Sequence, residues 1–177
     1  VDETGILVGL VTDRDLRDAR LGEPTQQAVT GDGVLVRVQD VMRQEVVTVA
    51  PDYPLEEAAR LMVDHKIGSL PVIEEGRLVG IITDTDVFHQ FVAILGGGSP
   101  TIRLTVQVGN QPGQLAALAA QVASVGGNIL SIASFPAETP DRMNFTLRVE
   151  AAPLDALRAA IESHPGAQLQ NVWMPDK

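Results

Sequence analysis

The stretch from Gly5 to Leu16, GILVGLVTDRDL, returns 71 residues later, from Gly76 to Val87, as GRLVGIITDTDV. Seven of the twelve positions are identical, and three more exchange one apolar residue for another. A repeat this close indicates two copies of one supersecondary unit, which usually pack on each other. A ligand group held by one copy is therefore expected to have a counterpart in the other.

The second copy is predicted to be a complete unit of strand, helix, strand, strand and helix, from about Asp40 to Leu95. Its helix carries apolar residues at helical spacing, and its last two strands flank a hairpin turn at 74–77. The first copy holds only the last strand and helix of that unit, so the first repeat is truncated at its N-terminus. We expect a buried strand at 6–11, a helix at 13–20, a loop at 22–33 and a short strand at 46–49.

A second domain is predicted after the glycine-rich linker at 96–101, because three consecutive glycines followed by Ser99 and Pro100 favour a flexible connection. Residues 102–108 alternate apolar and polar side chains as a half-buried strand does. The remaining pattern gives helix, strand, strand, helix and strand, which is the βαββαβ order of the split ferredoxin-like fold. The fold class is therefore α+β.

The composition is that of a globular protein, with 45% hydrophobic and 20% charged residues and a net charge of −10. This acidity argues against binding to nucleic acid or to anionic lipid, since both require a basic surface. The chain contains no cysteine, which fits a reducing cytoplasm, and no apolar run long enough to cross a membrane. We expect a cytoplasmic protein.

The repeated pattern of glycine, two apolar residues, Thr, two further residues and Asp resembles the signature of the cystathionine-β-synthase (CBS) domain. It comprises Gly9, Thr12 and Asp15 in the first copy, and Gly80, Thr83 and Asp86 in the second. The resemblance implies a CBS-domain pair, or Bateman module, with the first repeat plus its connecting loop at 1–39 and the second repeat at 40–95. Such pairs commonly bind adenosine-containing ligands.

Residues 102–177 resemble an ACT domain, a small regulatory module of amino-acid metabolism. The resemblance rests on the βαββαβ order, the turn at 110–113 and the Gly126-Gly127-Asn128-Ile129 entry into the second strand. A CBS pair followed by an ACT domain resembles the bacterial acetoin-utilisation protein B type.

Thr83 and Asp86 are the main candidate ligand-binding residues. Thr83 ends a strand where a helix begins, and the N–H groups and dipole of a helix N-terminus favour a phosphate. By the resemblance, Asp86 would hold a ribose and Thr83 a phosphate. The alternative is that these residues only cap the helix.

The first copy supplies Thr12, Arg14 and Asp15 as counterparts, and Arg14 could form a bidentate pair with a phosphate. It could equally be a solvated helix arginine. Thr48, Val49 and Pro71 would line an adenine pocket, or belong to ordinary core strands. The expected ligands are AMP, ADP, ATP or S-adenosylmethionine.

The turn of Asn110, Gln111, Pro112 and Gly113 could present N–H groups to a carboxylate of an amino-acid effector. It could equally be a tight loop without a ligand. Asn128, with Ile129 beside it, could face the same cavity across a dimer interface, or be a polar residue after a helix end.

No pattern of catalytic residues is visible. His65, His89 and His164 are far apart in sequence, so neither a metal site nor a catalytic cofactor is predicted. We expect a non-catalytic, allosteric ligand sensor that forms at least a homodimer and regulates an unidentified partner protein. The alternative is a structural module for oligomerisation with no bound ligand.

Overall fold

The computed structural model describes residues 1–21, 29–30, 33–34 and 37–175. It divides into two compact units, Val1–Val87 and Phe88–Lys177, which we call the N-terminal and C-terminal units. Each is described by itself.

The N-terminal unit alternates short helices with antiparallel strand pairs. β1 pairs with β2, and β3 pairs with β4 from Ser69 opposite Thr83 to Glu74 opposite Arg77. Its core is apolar and is built from Val49, Ala58, Met62, Leu70 and Val87. In chain order the elements are α1 (Asp13–Leu21), β1 (Val29–Thr30), β2 (Gly33–Val34), α2 (Val38–Val41), α3 (Leu55–His65), β3 (Ser69–Glu74), β4 (Arg77–Thr83) and α4 (Asp84–Ile94), which continues into the C-terminal unit.

Helix α3 forms where the apolar spacing predicts it, and it buries Ala58 and Met62. Pro54 is its N-cap, and the helix ends at Lys66, which adopts the left-handed conformation with φ 54°. A glycine is usual at such a helix end, because a side chain there costs about 1 kcal/mol.

Three predictions for the N-terminal unit need correction. Residues 6–11 do not form a buried strand: only Leu10 forms a bridge, to Arg43, and Ile6 is 49% exposed. In the second copy the equivalent strand β4 pairs with β3 over its whole length, whereas in the first copy the partner of Leu10 is the single residue Arg43. The strand at 46–49 shrinks to one parallel bridge between Val49 and Val72.

The predicted loop at 22–33 is the third correction. Residues 22–28 and 31–32 lie outside the described residues, but Val29–Thr30 and Gly33–Val34 pair as a two-residue ladder. Strands are recognised in a sequence by the alternation of apolar and polar residues over at least four positions. Two strands of two residues each are too short to show this alternation.

The C-terminal unit confirms the βαββαβ order and the ferredoxin-like fold. Its sheet has the strand order β6-β7-β5-β8, and all neighbours are antiparallel. The elements are β5 (Ile102–Gly109), α5 (Gln114–Ser124), β6 (Asn128–Pro136), β7 (Arg142–Glu150), α6 (Leu154–Glu162) and β8 (Gln168–Trp173).

Alternation along β5 and β7 divides the sheet into an apolar face and a polar face. The apolar face packs against α5 and α6, where Leu118, Val122, Leu157 and Ile161 are fully buried. Full burial of such a side chain stabilises the fold by about 1.5–3 kcal/mol. The polar face presents Thr105, Gln107, Asn144 and Thr146 in register on the two central strands.

Candidate functional site

A pocket of about 520 Å³ in the N-terminal unit brings the two sequence repeats together. Each repeat contributes the junction where its repeated Thr-Asp pair enters a helix, so we call this cavity the junction pocket. Its wall is completed by the residues that follow α3 and by Arg43. It is lined by Leu10, Val11, Thr12, Asp13, Arg14, Arg43, Lys66, Ile67, Gly68, Ser69, Ile81, Thr83, Asp84 and Thr85.

The repeated Thr and Asp cap the two helices reciprocally. The Thr83 N–H and hydroxyl both donate to Asp86 Oδ2, at 2.8 and 2.6 Å, and the Asp86 N–H donates to Thr83 Oγ1 at 3.2 Å. Thr12 and Asp15 make the same three contacts, at 2.9, 2.6 and 3.3 Å. This is the geometry of a capping box, in which one pair of side chains accepts hydrogen bonds from two backbone N–H groups that have no partner within the helix. The cap interpretation of these residues is therefore observed in both copies.

After capping, the two helix N-termini still have hydrogen-bonding groups that a ligand can use. Each threonine hydroxyl donates its proton to the carboxylate, so it retains only acceptor capacity. Arg14 and Thr85 occupy the second helical position, where a backbone N–H has no partner within the helix. Both residues line the junction pocket. The pocket therefore combines two helix N-termini and two main-chain donors, an arrangement suited to an anion.

Cations outnumber carboxylates along the pocket wall. Arg43 Nε lies 3.2 Å from Asp15 Oδ1, and the Asp15 side chain is only 9% exposed. Donation from the Thr12 hydroxyl is the main cause that lowers the pKa of Asp15, followed by the Thr12 N–H; Arg43 lowers it further, against the opposing effect of burial. Arg14 and Lys66 form no salt bridge within the described part of the chain. The local charge therefore favours a negatively charged ligand group.

The other predicted nucleotide-binding residues do not line this pocket. Asp15 and Asp86 lie behind it as caps. Thr48 is exposed, whereas Val49 and Pro71 are buried and joined by a hydrogen bond from the Val49 N–H to the Pro71 carbonyl at 3.1 Å. Their predicted contact with adenine stays a prediction.

The sequence interpretation missed Arg43 and Lys66 as pocket residues. Arg43 is placed there by its bridge to Leu10, which no periodic pattern signals. The resemblance to CBS domains covers the segment around Gly68, and Lys66 lies in that segment. That resemblance was the signal in the sequence that could have identified Lys66 as a pocket residue.

The turn at 110–113 lies at the start of α5, as predicted. Gly113 is the N-cap with φ 90°, and its carbonyl accepts from the Ala117 N–H at 3.0 Å. The Asn110 N–H donates to the Asp141 carbonyl at 2.7 Å and its side chain donates to the Pro140 carbonyl at 3.2 Å. These bonds fix the turn against the loop between β6 and β7.

Asn128 lies at the opposite end of the sheet from this turn. It pairs with Glu150, and its side-chain amide donates to Glu150 Oε1 at 2.9 Å. Gly109, which precedes the turn, pairs with Arg142 at the other end of β7. Ile129 packs against the core. One chain alone therefore does not bring Asn128 and the turn together.

The residues that the structure describes show neither a cluster of metal ligands nor a membrane-spanning helix. They contain no group of three or more His, Cys, Asp or Glu side chains that could hold a metal ion. Among them, no helix is long and apolar enough to span a bilayer.

The fold and the junction pocket define a tandem-repeat module joined to a ferredoxin-like domain. The family description "CBS domain" matches residues 38–93 and "ACT domain" matches residues 102–166. A CBS domain-containing protein of Dictyostelium discoideum is 37% identical over 100 residues, which cover 54% of this chain and 68% of that protein. The chain belongs to the CBS domain-containing proteins, and its second domain is an ACT domain.

Other relatives are longer than the shared region. A CBS domain-containing protein of Bacillus subtilis is 46% identical over 50 residues, covering 28% of this chain and 36% of that protein. The magnesium transporter of Thermus thermophilus is 43% identical over 88 residues, covering 49% of this chain but 17% of its own length. The chain thus spans well under two thirds of these two relatives.

Solved structures give matches over about half of the chain. A candidate acetoin utilization protein from Vibrio cholerae is 38% identical, with a TM-score of 0.45, covering 54% of this chain and 66% of that one. A CBS domain pair in complex with 5′-methylthioadenosine and S-adenosyl-L-methionine is 31% identical, with a TM-score of 0.43, covering 52% and 67%.

Proposed function

We propose that this chain is a non-catalytic sensor that binds an adenosine-containing nucleotide in the junction pocket. The supporting observation is that the N-termini of the two repeated helices, α1 and α4, line one cavity. Its volume of about 520 Å³ lies within the range of small-molecule sites. Binding would shift the population between conformations of the pair, and a partner protein would respond to that shift.

The proposed contacts follow from the pocket's polarity. Phosphate oxygens accept from the N–H groups of Arg14 and Thr85 and from the Arg14 guanidinium, which can bind two oxygens at once. Contacts of Asp15 and Asp86 with the ribose, and of Thr48, Val49 and Pro71 with the adenine, rest on the resemblance to CBS domains alone, because these residues lie outside the lining of the junction pocket. AMP, ADP, ATP and S-adenosylmethionine are the ligands to test first.

Calorimetric titration of the full chain with these four compounds tests the proposal. Arg14→Met should weaken nucleotide binding about 10- to 100-fold, because one hydrogen bond to a charged group contributes about 1.5–3 kcal/mol. Arg77→Met is the matched control, since Arg77 is an exposed cation of the same unit outside the pocket.

Absence of heat with all four compounds, together with no change in melting temperature, would favour the structural module with an empty site. Equal loss of binding in Arg14→Met and Arg77→Met would remove the junction pocket as the location.

We propose that the ACT domain binds an amino acid or similar small effector between two copies of the chain. β6 is an edge strand without a charged side chain, and it exposes Leu130, Ile132 and Phe135. Such an edge favours pairing with another strand. Antiparallel pairing of β6 with its copy across a two-fold axis reverses the ends of the sheet, so Asn128 would lie at the same end as the partner subunit's Asn110.

Light scattering on the full chain tests this homodimer. Leu130→Lys places a charge on the β6 edge, where Leu130 is 45% exposed, and should shift the mass toward the monomer. Leu115→Lys is the control, because Leu115 is 44% exposed on α5. A dimer that survives Leu130→Lys unchanged would place the interface elsewhere. Titration of the dimer with amino acids then tests the effector.

A further inference from the structure

Within the C-terminal unit, the residues that follow α4 cover one end of the polar face of the sheet. There the chain following α4 lies against it: the Ser131 hydroxyl donates to the Leu95 carbonyl at 3.0 Å, and Arg148 donates to Thr101 Oγ1 at 3.2 Å. The Arg148 guanidinium also lies 5.6 Å from the centroid of the Trp173 ring. These contacts occupy the half of the face near the start of β5.

The other half of the face holds an open cavity of about 460 Å³. Its floor is formed by Thr105 and Gln107 of β5, Asn144 of β7 and Gln170 of β8. The loop between β6 and β7 walls it with Glu138 and Thr139. Phe135 lies at the rim and is 44% exposed. The lining residues supply amides, hydroxyls, one carboxylate and one aromatic ring, and the Arg103 guanidinium, which is not part of the lining, donates to Thr105 Oγ1 at 3.4 Å.

The floor amides have hydrogen-bonding capacity to spare. Gln107 donates to Asn144 Oδ1 at 3.4 Å, and Asn144 donates to the Pro136 carbonyl at 3.5 Å. Each amide has two N–H donors and a carbonyl that can accept twice, so both donors and acceptors remain available in the cavity. Thr139 adds a hydroxyl that can do either.

This mixture discriminates between classes of ligand. An anionic group only accepts, would leave the spare acceptors unpaired, and would meet the Glu138 carboxylate. An ammonium group could pair with Glu138, but it only donates, so it would compete with the amide N–H donors for acceptors and satisfy none of them. A hydroxyl both donates and accepts, so several hydroxyls match the floor, while the carbon side of such a ligand can cover the Phe135 ring.

We infer that this cavity, which we call the sheet pocket, binds a neutral polyhydroxylated molecule of about monosaccharide size. The cavity volume lies within the range of small-molecule sites. The sheet pocket shares no lining residue with the junction pocket or with the turn at 110–113, although Asn110 of that turn is hydrogen-bonded to the loop that walls the sheet pocket.

Saturation-transfer difference NMR on the full chain tests the inference with three matched probes: D-glucose, D-glucosamine and D-glucose 6-phosphate. Glucose should bind in the millimolar range, with glucosamine and the phosphate each at least threefold weaker. Glucose 6-phosphate binding as tightly as glucose, or no saturation transfer to any probe, would overturn the inference.

Variants locate the binding. Gln107→Met keeps the side-chain length but removes the amide, so it should reduce the glucose signal at least threefold. Phe135→Ala removes the aromatic ring at the rim and should also reduce the glucose signal. Gln121→Met on α5 is the control and should leave the signal unchanged. A glucose signal that survives both Gln107→Met and Phe135→Ala would also overturn the inference.

Discussion

Replacing Thr83 with valine should destabilise the N-terminal unit, because the Thr83 side chain closes the capping box at the start of α4. Valine has the shape of threonine but loses the hydroxyl that donates to Asp86 Oδ2 at 2.6 Å and accepts from the Asp86 N–H at 3.2 Å. The Asp86 N–H belongs to the first turn of the helix, where backbone donors have no partner within the helix, and the substitution removes the hydroxyl acceptor that the cap supplies to it.

The expected loss is about 1 kcal/mol, within the range of about 0.5–2 kcal/mol for removal of a helix cap. Differential scanning calorimetry measures it. In a cooperative unit of this size, that loss lowers the melting temperature of the N-terminal transition by about 4–8 °C. Thr12→Val should act in the same direction, since its cap has the same geometry.

Thr85→Val is the matched control. Within the described ranges, the Thr85 hydroxyl forms one hydrogen bond, to the neighbouring Asp84 carboxylate at 3.2 Å. Its replacement should change stability by less than about 0.5 kcal/mol. If Thr83→Val and Thr85→Val melt at the same temperature, the assignment of the cap to Thr83 is refuted.

Two further predictions concern pH and the core. Donation from the Thr12 hydroxyl is the main cause that lowers the pKa of Asp15 in the folded protein. The ionised Asp15 therefore stabilises the fold fully at pH values above its unfolded pKa of about 3.9. This stabilisation is lost as the pH falls through the lower pKa of the folded state. Thermal denaturation between about pH 5 and about pH 2 should show this loss in the N-terminal unit, and Asp15→Asn should flatten it; an unchanged acid profile would contradict the prediction. Leu104→Ala should destabilise the C-terminal unit by about 2–5 kcal/mol in denaturant titrations, because Leu104 is fully buried; a loss near that of the exposed Leu115→Ala would refute it.

Periodicity predicts the C-terminal unit well because its strands are half-buried. On β5 each apolar residue faces the helices and each polar residue faces away, so the sequence alternates visibly. Periodicity predicts the first repeat less well. Residues 6–11 have the composition of a strand, but among the described residues no strand pairs with them beyond the single bridge at Leu10. The residue pattern of a segment indicates which secondary structure that segment can adopt. Whether it becomes part of a sheet depends on whether another strand lies beside it in the fold.

The candidate site was predictable where it is repeated. Thr12 and Thr83 stand out because the two copies match, and both line the junction pocket. Arg43 and Lys66 have no such signal, because tertiary contacts bring them to the wall. The sequence also could not separate capping from binding, since both use the same helix end; the geometry shows that the caps form.

If the two repeats form one ligand site, one ligand should protect both junctions at once. Hydrogen exchange of the full chain with and without AMP, followed by mass spectrometry, measures this protection. Peptides covering 10–16 and 81–87 should exchange more slowly together, at the same AMP concentration. Protection of only one junction, or of neither while AMP binds elsewhere, would contradict it.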